Sequence, residues 1–176
     1  MYRRGFTIVE LIIIITIMGI LLVLGVVNLR GTQANARDEE RKTDIDTIAL
    51  HLENFYTSGN DVSTTFGDYP STAIIGNELA TLRDIDPKSL VAPGGLTSSS
   101  LVAEVNPTPL QTTAGVNPQP TTVQYVYQPL QADGTLCTTA VQECRKFNLF
   151  YKLEVANITP GCPAPGYVCM VTSKNQ

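Results

Sequence analysis

Few side chains in this sequence combine type and spacing in a way that could do chemistry. Cys137, Cys144, Cys162 and Cys169 form two pairs, each with six intervening residues. Zinc sites favour shorter C-x2–4-C spacings, often with histidine, and the single histidine, His51, lies far upstream in an amphipathic stretch. Disulfides in an oxidising compartment are therefore expected, and a metal site is not. Four cysteines allow three connectivities. The expected one joins Cys137 to Cys144 and Cys162 to Cys169, each closing a loop near a strand end; a crossed pairing would staple the two loops together. Chain entropy gives each closed loop roughly 2–3 kcal/mol, less any strain.

Catalysis finds no foothold. One histidine leaves little for general-base chemistry near neutral pH. No Gly-rich phosphate loop, HExxH or GxSxG motif occurs. Carboxylates such as Asp133, Glu143 and Glu154 are scattered, without a charged partner guaranteed by spacing. No enzyme activity, catalytic residue, metal ligand or cofactor is expected. Asn157-Ile158-Thr159 matches a glycosylation sequon, a weak three-residue signal. With 12 Lys+Arg against 16 Asp+Glu and a net charge of −4, no basic excess exists to neutralise a phosphate backbone, so direct nucleic-acid binding is not expected.

The remaining oddity is Glu10, at the threshold of an apolar run from Leu11 to Leu29 (LIIIITIMGILLVLGVVNL) that contains no charge. As a helix this run spans roughly 28 Å, close to a bilayer's hydrocarbon thickness. A secretory signal peptide would fit the basic Arg3 and Arg4, but its small-residue cleavage site after the apolar core is missing. A plain anchor leaves Glu10 unexplained, because an ionisable group near hydrocarbon needs a partner. Arg30, Arg37, Arg41 and Lys42 follow the run, so basic flanks alone do not orient it. The cysteines favour export of the distal part.

The first ten residues read MYRRGFTIVE, with Gly5, Phe6 and a glutamate four positions after the phenylalanine. This stretch resembles the class III signal of the type IV pilin and pseudopilin family. The resemblance implies that a prepilin peptidase cuts between Gly5 and Phe6 and methylates the new N-terminal Phe6. It also implies that Glu10 is the glutamate the family requires. Gly5, without a Cβ, lets the scissile bond lie close against a protease. A free amine on Phe6 and the Glu10 carboxylate lie about one turn apart within one helix; in an array, the amine of one subunit would meet Glu10 of a neighbour and fix the axial stagger. Many family members carry a proline about twenty residues after the cleavage site, where this chain has Val27 and Asn28. Gly19 and Gly25 are its weaker points, each costing about 1 kcal/mol relative to Ala.

Beyond Leu29, GTQANARDEERKTD is polar on all sides, with a pair such as Asp38 and Lys42 at i,i+4, and predicts a solvated helix. Ile45, Ile48, Leu52 and Phe55 then form one apolar stripe, ended by Ser58, Gly59 and Asn60. Leu52, Phe55 and Tyr56, followed by Gly67, Asp68, Tyr69 and Pro70, again resemble the family. Residues Asn77–Leu90 have short helical or turn character interrupted at Pro87, and the Pro/Gly/Ser/Thr-rich stretch Val91–Thr122 reads as an extended surface loop. Val123–Gln128, Phe147–Val155 and Tyr167–Thr172 alternate as strands, with a turn at Asp133-Gly134.

The expected fold is α+β and pilin-like: a long N-terminal helix on a small antiparallel sheet of three to four strands. Its expected parts are a leader (1–5), a membrane and assembly helix (6–29), an amphipathic helix (30–58), a connecting loop (59–121) and a sheet with disulfide loops (122–176). The resemblance implies a type IV pilus-like filament subunit, held in the cytoplasmic membrane by a single pass and then displayed at the cell surface. Its implied partners are copies of itself, the prepilin peptidase, and the assembly platform with its ATPase. Alternatives are a type II secretion pseudopilin and a membrane-tethered surface-binding module that never polymerises. Some pseudopilins hold calcium in a distal loop; the acids here are too dispersed to carry that over.

Overall fold

The computed structural model describes residues 6–59, 66–96, 98–155, 162 and 167–175. In chain order its elements are α1 (Ile8–Ser58), α2 (Thr72–Ile75), α3 (Glu78–Thr81), a 3-10 turn (Pro87–Leu90), β1 (Leu101–Ala103), β2 (Tyr125–Leu130), β3 (Lys146–Lys152) and β4 (Val168–Thr172). The chain divides into two compact units, Met1–Ala36 and Arg37–Gln176.

The first unit holds the apolar part of α1. Thr7 precedes the first helical residue, as a helix-capping residue should. Every large apolar side chain described from Phe6 to Leu29 is exposed. The helix is long and apolar enough to cross a membrane.

In the second unit α1 forms one wall of the core. Ile45, Ile48 and Leu52 are fully buried and cluster with Tyr69, Tyr125, Tyr127, Phe147 and Leu149, and Phe55 is nearly buried as well. Burying each such aliphatic or aromatic side chain contributes about 1.5–3 kcal/mol. The helix stops at Gly59, whose φ of 60° is left-handed and whose N–H returns to Phe55 O at 2.8 Å, a glycine C-terminal cap. Asn60 lies outside the described residues.

The stripe reaches further toward the N-terminus than its apolar members suggest. Asp38, Arg41 and Asp44 are buried, correcting the expectation of a helix solvated on every side. Asp38 and Arg41 fall seven and four residues before Ile45, and Arg41 and Asp44 seven and four before Ile48, so they share that face. Asp38 accordingly pairs with Arg41 at 2.7 Å and Lys42 with Glu39 at 2.7 Å; the Asp38–Lys42 pairing is not formed.

The sheet order is β1-β2-β3-β4. β2 with β3 and β3 with β4 are antiparallel, but β1 runs parallel to β2, with Leu101 opposite Tyr125. An all-antiparallel sheet was the expectation. A parallel neighbour requires a long return connection, and residues 104–124, read as loop as far as Thr122, supply it. That return also brings Val116 onto Val126 and Phe150 as a second small core. All six residues of β2 are buried, so both of its faces are covered.

Candidate functional site

At the start of α1, Thr7 and Glu10 cap the helix reciprocally. Thr7 N–H and Thr7 Oγ1–H donate to Glu10 Oε2 at 3.1 and 2.9 Å, and Glu10 N–H donates to Thr7 Oγ1 at 3.3 Å. This T-x-x-E capping box satisfies backbone donors that helix geometry leaves without carbonyl partners. Glu10 therefore has a local partner in the isolated chain, at the head of a segment whose next charged residue is Arg30. Phe6, just before the cap, is 76% exposed. Gly5 lies outside the described residues, as do Asn157, Ile158 and Thr159.

Residues 1–26 match the prokaryotic N-terminal methylation motif. The chain carries the class III signal of type IV pilins and pseudopilins. The methylation motif thus covers Gly5, Phe6, Glu10 and most of the apolar run. Comparison with curated proteins and with solved structures found no match for the chain.

Away from the methylation motif, the second unit contains a polar assembly that sequence reasoning missed. Glu154, just beyond β3, bonds Arg37 Nε at 2.9 Å and Arg41 Nη2 at 2.5 Å. Asp38 accepts the backbone N–H groups of Glu154 and Val155 at 2.9 Å each, together with Arg41 Nη1 at 2.7 Å. Arg41 also donates to the carbonyls of Thr122 and Pro93. One guanidinium thus ties α1 to three distant segments. The Arg37 hydrogen bond, aided by Arg41, holds the Glu154 carboxyl at about 2, well below its ordinary range. One turn on, burial raises Asp44 to about 6, against the opposing effect of a 2.9 Å hydrogen bond from Tyr125 Oη.

Two further carboxylates organise backbone. Glu104, 2% exposed, accepts from the N–H groups of Val105, Asn106 and Asn117 at 3.0–3.1 Å and from Gln128 Nε2 at 3.3 Å. Glu53 on α1 receives Lys174 N–H and Asn175 Nδ2, and Tyr69 Oη donates to it at 2.9 Å. The arrangement fastens the C-terminal residues to the helix. In each case the carboxylate acts as a structural acceptor.

Disulfides join Cys137 to Cys144 and Cys162 to Cys169. The first ring is knitted to the core on both sides: Thr72 N–H donates to Cys137 O and Tyr69 N–H to Cys144 O. Asp133 shapes the β2–β3 turn by accepting Thr135 N–H at 2.9 Å, and Gly134 supplies a φ of 87°. Glu143 pairs with Arg145 at 2.8 Å. His51 is half-buried on α1. Among the described residues, no group of three or more His, Cys, Asp or Glu is placed to hold a metal ion.

Proposed function

We propose that the protein is a structural subunit of a type IV pilus-like filament. It waits in the cytoplasmic membrane with the apolar part of α1 in lipid, and polymerises through that helix after cleavage between Gly5 and Phe6 and methylation of Phe6. One observation carries this: within and just beyond the methylation motif, every described large apolar side chain from Phe6 to Leu29 is exposed on the isolated chain. Such a surface needs an apolar medium, at about 25 cal/mol per Å², and either lipid or other copies of the helix provide one.

Glu10 then acts as the register device. In lipid it is satisfied by Thr7; in the filament it receives the charged amine of a neighbouring Phe6, and opposite charges cancel in a medium that penalises either alone. The disulfide-bonded unit lies on the exported side. Prepilin peptidase, the assembly platform and its ATPase are the partners that this life history requires.

Mass spectrometry of the mature N-terminus, combined with negative-stain microscopy of sheared surface material, tests the proposal. Methylated Phe6 in filaments labelled by an antibody to residues 37–176 is the expected result. An intact Met1, with the protein confined to membranes, would favour a tethered module. Processed protein absent from surface filaments but required for secretion would point to a pseudopilin.

A further inference from the structure

Residues 30–36 of α1 (RGTQANA) lie between two stretches of the helix that are held in different ways. Upstream, the uncharged run ending at Leu29 takes an apolar medium, where a backbone leaving the helix would find no water to bond. Downstream, the second unit begins at Arg37. The stretch between has neither support. Arg30, Gly31, Gln33, Asn35 and Ala36 are exposed, and no ion pair among the described residues reaches a position before Arg37. Gly31 is a poor helix former; Thr32 loses rotamer freedom in a helix, and Asn35 competes for nearby backbone groups. A helix shorter than about 12–15 residues is marginal in water by itself.

At Arg37 the balance reverses. Arg37 Nε donates to Glu154 Oε1 at 2.9 Å, and the buried Asp38 accepts the N–H groups of Glu154 and Val155 at 2.9 Å each. Arg41, 1% exposed, donates to Thr122 O at 2.7 Å and to Pro93 O at 3.2 Å. None of these bonds belongs to the helix itself, and the three side chains converge only while residues 37–41 stay helical. Starting a helix is its costly step, because several dihedrals are fixed for the first hydrogen bond. Here distant parts of the chain fix them. Unwinding that travels down α1 from residue 30 therefore meets, at Arg37, a turn that does not depend on the turn before it.

We infer that residues 30–36 form a hinge that opens by local unwinding, and that the clasp of Arg37, Asp38 and Arg41 on Glu154 is the stop that confines it. Opening the hinge breaks no ion pair among the described residues, whereas opening one further turn has to break every bond of the clasp. The device operates whether or not the chain polymerises, so it goes beyond the filament reading. It lets the chain bend, or be drawn along its axis, upstream of a stripe (Ile45, Ile48, Leu52) that keeps its packing in the core.

Amide hydrogen exchange, read by mass spectrometry on the full-length chain in lipid nanodiscs, tests the hinge. An open hinge leaves the first N–H groups of the clasped helix without upstream carbonyls, so amides 31–39 should exchange about tenfold faster than amides 42–52, or more. Gly31→Ala should slow the fast set about fivefold, with β2 and β3 unchanged. Glu154→Gln, which weakens the clasp, should extend fast exchange through Asp44 while β2 and β3 stay protected. Amides 31–39 as slow as amides 42–52 in the parent chain would overturn the hinge. A boundary that Glu154→Gln leaves in place, with β2 and β3 still protected, would overturn the clasp as its stop. Should that variant lose protection throughout, Arg37→Ala, at a side chain 39% exposed, gives the same reading with the fold retained.

Discussion

Glu154 Oε1 and Arg41 Nη2 lie 2.5 Å apart although 113 residues separate them in sequence, and the arginine side chain is 1% exposed. A buried guanidinium shared by two carboxylates and two carbonyls cannot be removed alone without stranding its partners. Arg41→Ala should therefore cost about 3–5 kcal/mol. Arg37→Ala, at a side chain 39% exposed, should cost under about 1 kcal/mol. Chemical denaturation of the full chain in detergent measures both, and equal losses would show that burial does not set the hierarchy.

Asp44 and Glu154 give the second unit opposite responses to pH. Asp44 has its folded pKa raised from 3.8 to about 6. The folded state therefore holds that proton more tightly, and acidification from about pH 6 toward 4 stabilises. Glu154 has its folded pKa lowered from 4.5 to about 2, so its contribution is present above about pH 4.5 and is lost as pH falls toward 2. Asp44→Asn keeps an acceptor for Tyr125 and removes the titration. The variant should exceed the parent in stability at pH 7, with the gap narrowing toward pH 4.5; a gap that does not change with pH would refute the assignment.

Glu104 makes a third prediction through its acceptor geometry. Glu104→Ala removes the acceptor shared by three backbone N–H groups and should cost about 1–3 kcal/mol. Amide exchange at Val105, Asn106 and Asn117 should accelerate together in this variant, while exchange in β3 and β4 stays slow. Unchanged protection at those three amides would show that water replaces the carboxylate.

Capping and assembly roles of Glu10 separate cleanly by substitution. Gln also serves at the last position of a T-x-x-E/Q capping box, so Glu10→Gln preserves the helix start and removes only the charge. Loss of filaments with normal processing at Gly5 and an intact helical spectrum is the expected outcome. Filaments at parental yield would reduce Glu10 to a helix cap.

Much of this architecture was legible because it is written in local periodicity. Leu11–Leu29 announces its medium by the absence of charge, Ile45, Ile48, Leu52 and Phe55 announce a buried face by their spacing, and Val/Tyr/Phe alternation marks strands. The methylation motif and the equal spacing within the two cysteine pairs are local in the same sense. Alternation along β2 did not disclose that both of its faces are covered, because Val116, which packs with Val126, comes from a distant connection.

The amino-acid order thus determined the apolar helix, its motif, the core stripe and the strand-forming segments, since each depends on residues within a few turns or one strand of one another. Only the tertiary structure decided that β1 runs parallel to β2, that Glu104 is buried, and that Arg37, Asp38 and Arg41 meet Glu154. Those contacts join positions separated by long stretches of chain. Their pairing depends on the path of the return connection and on the desolvation of charge, which no spacing encodes.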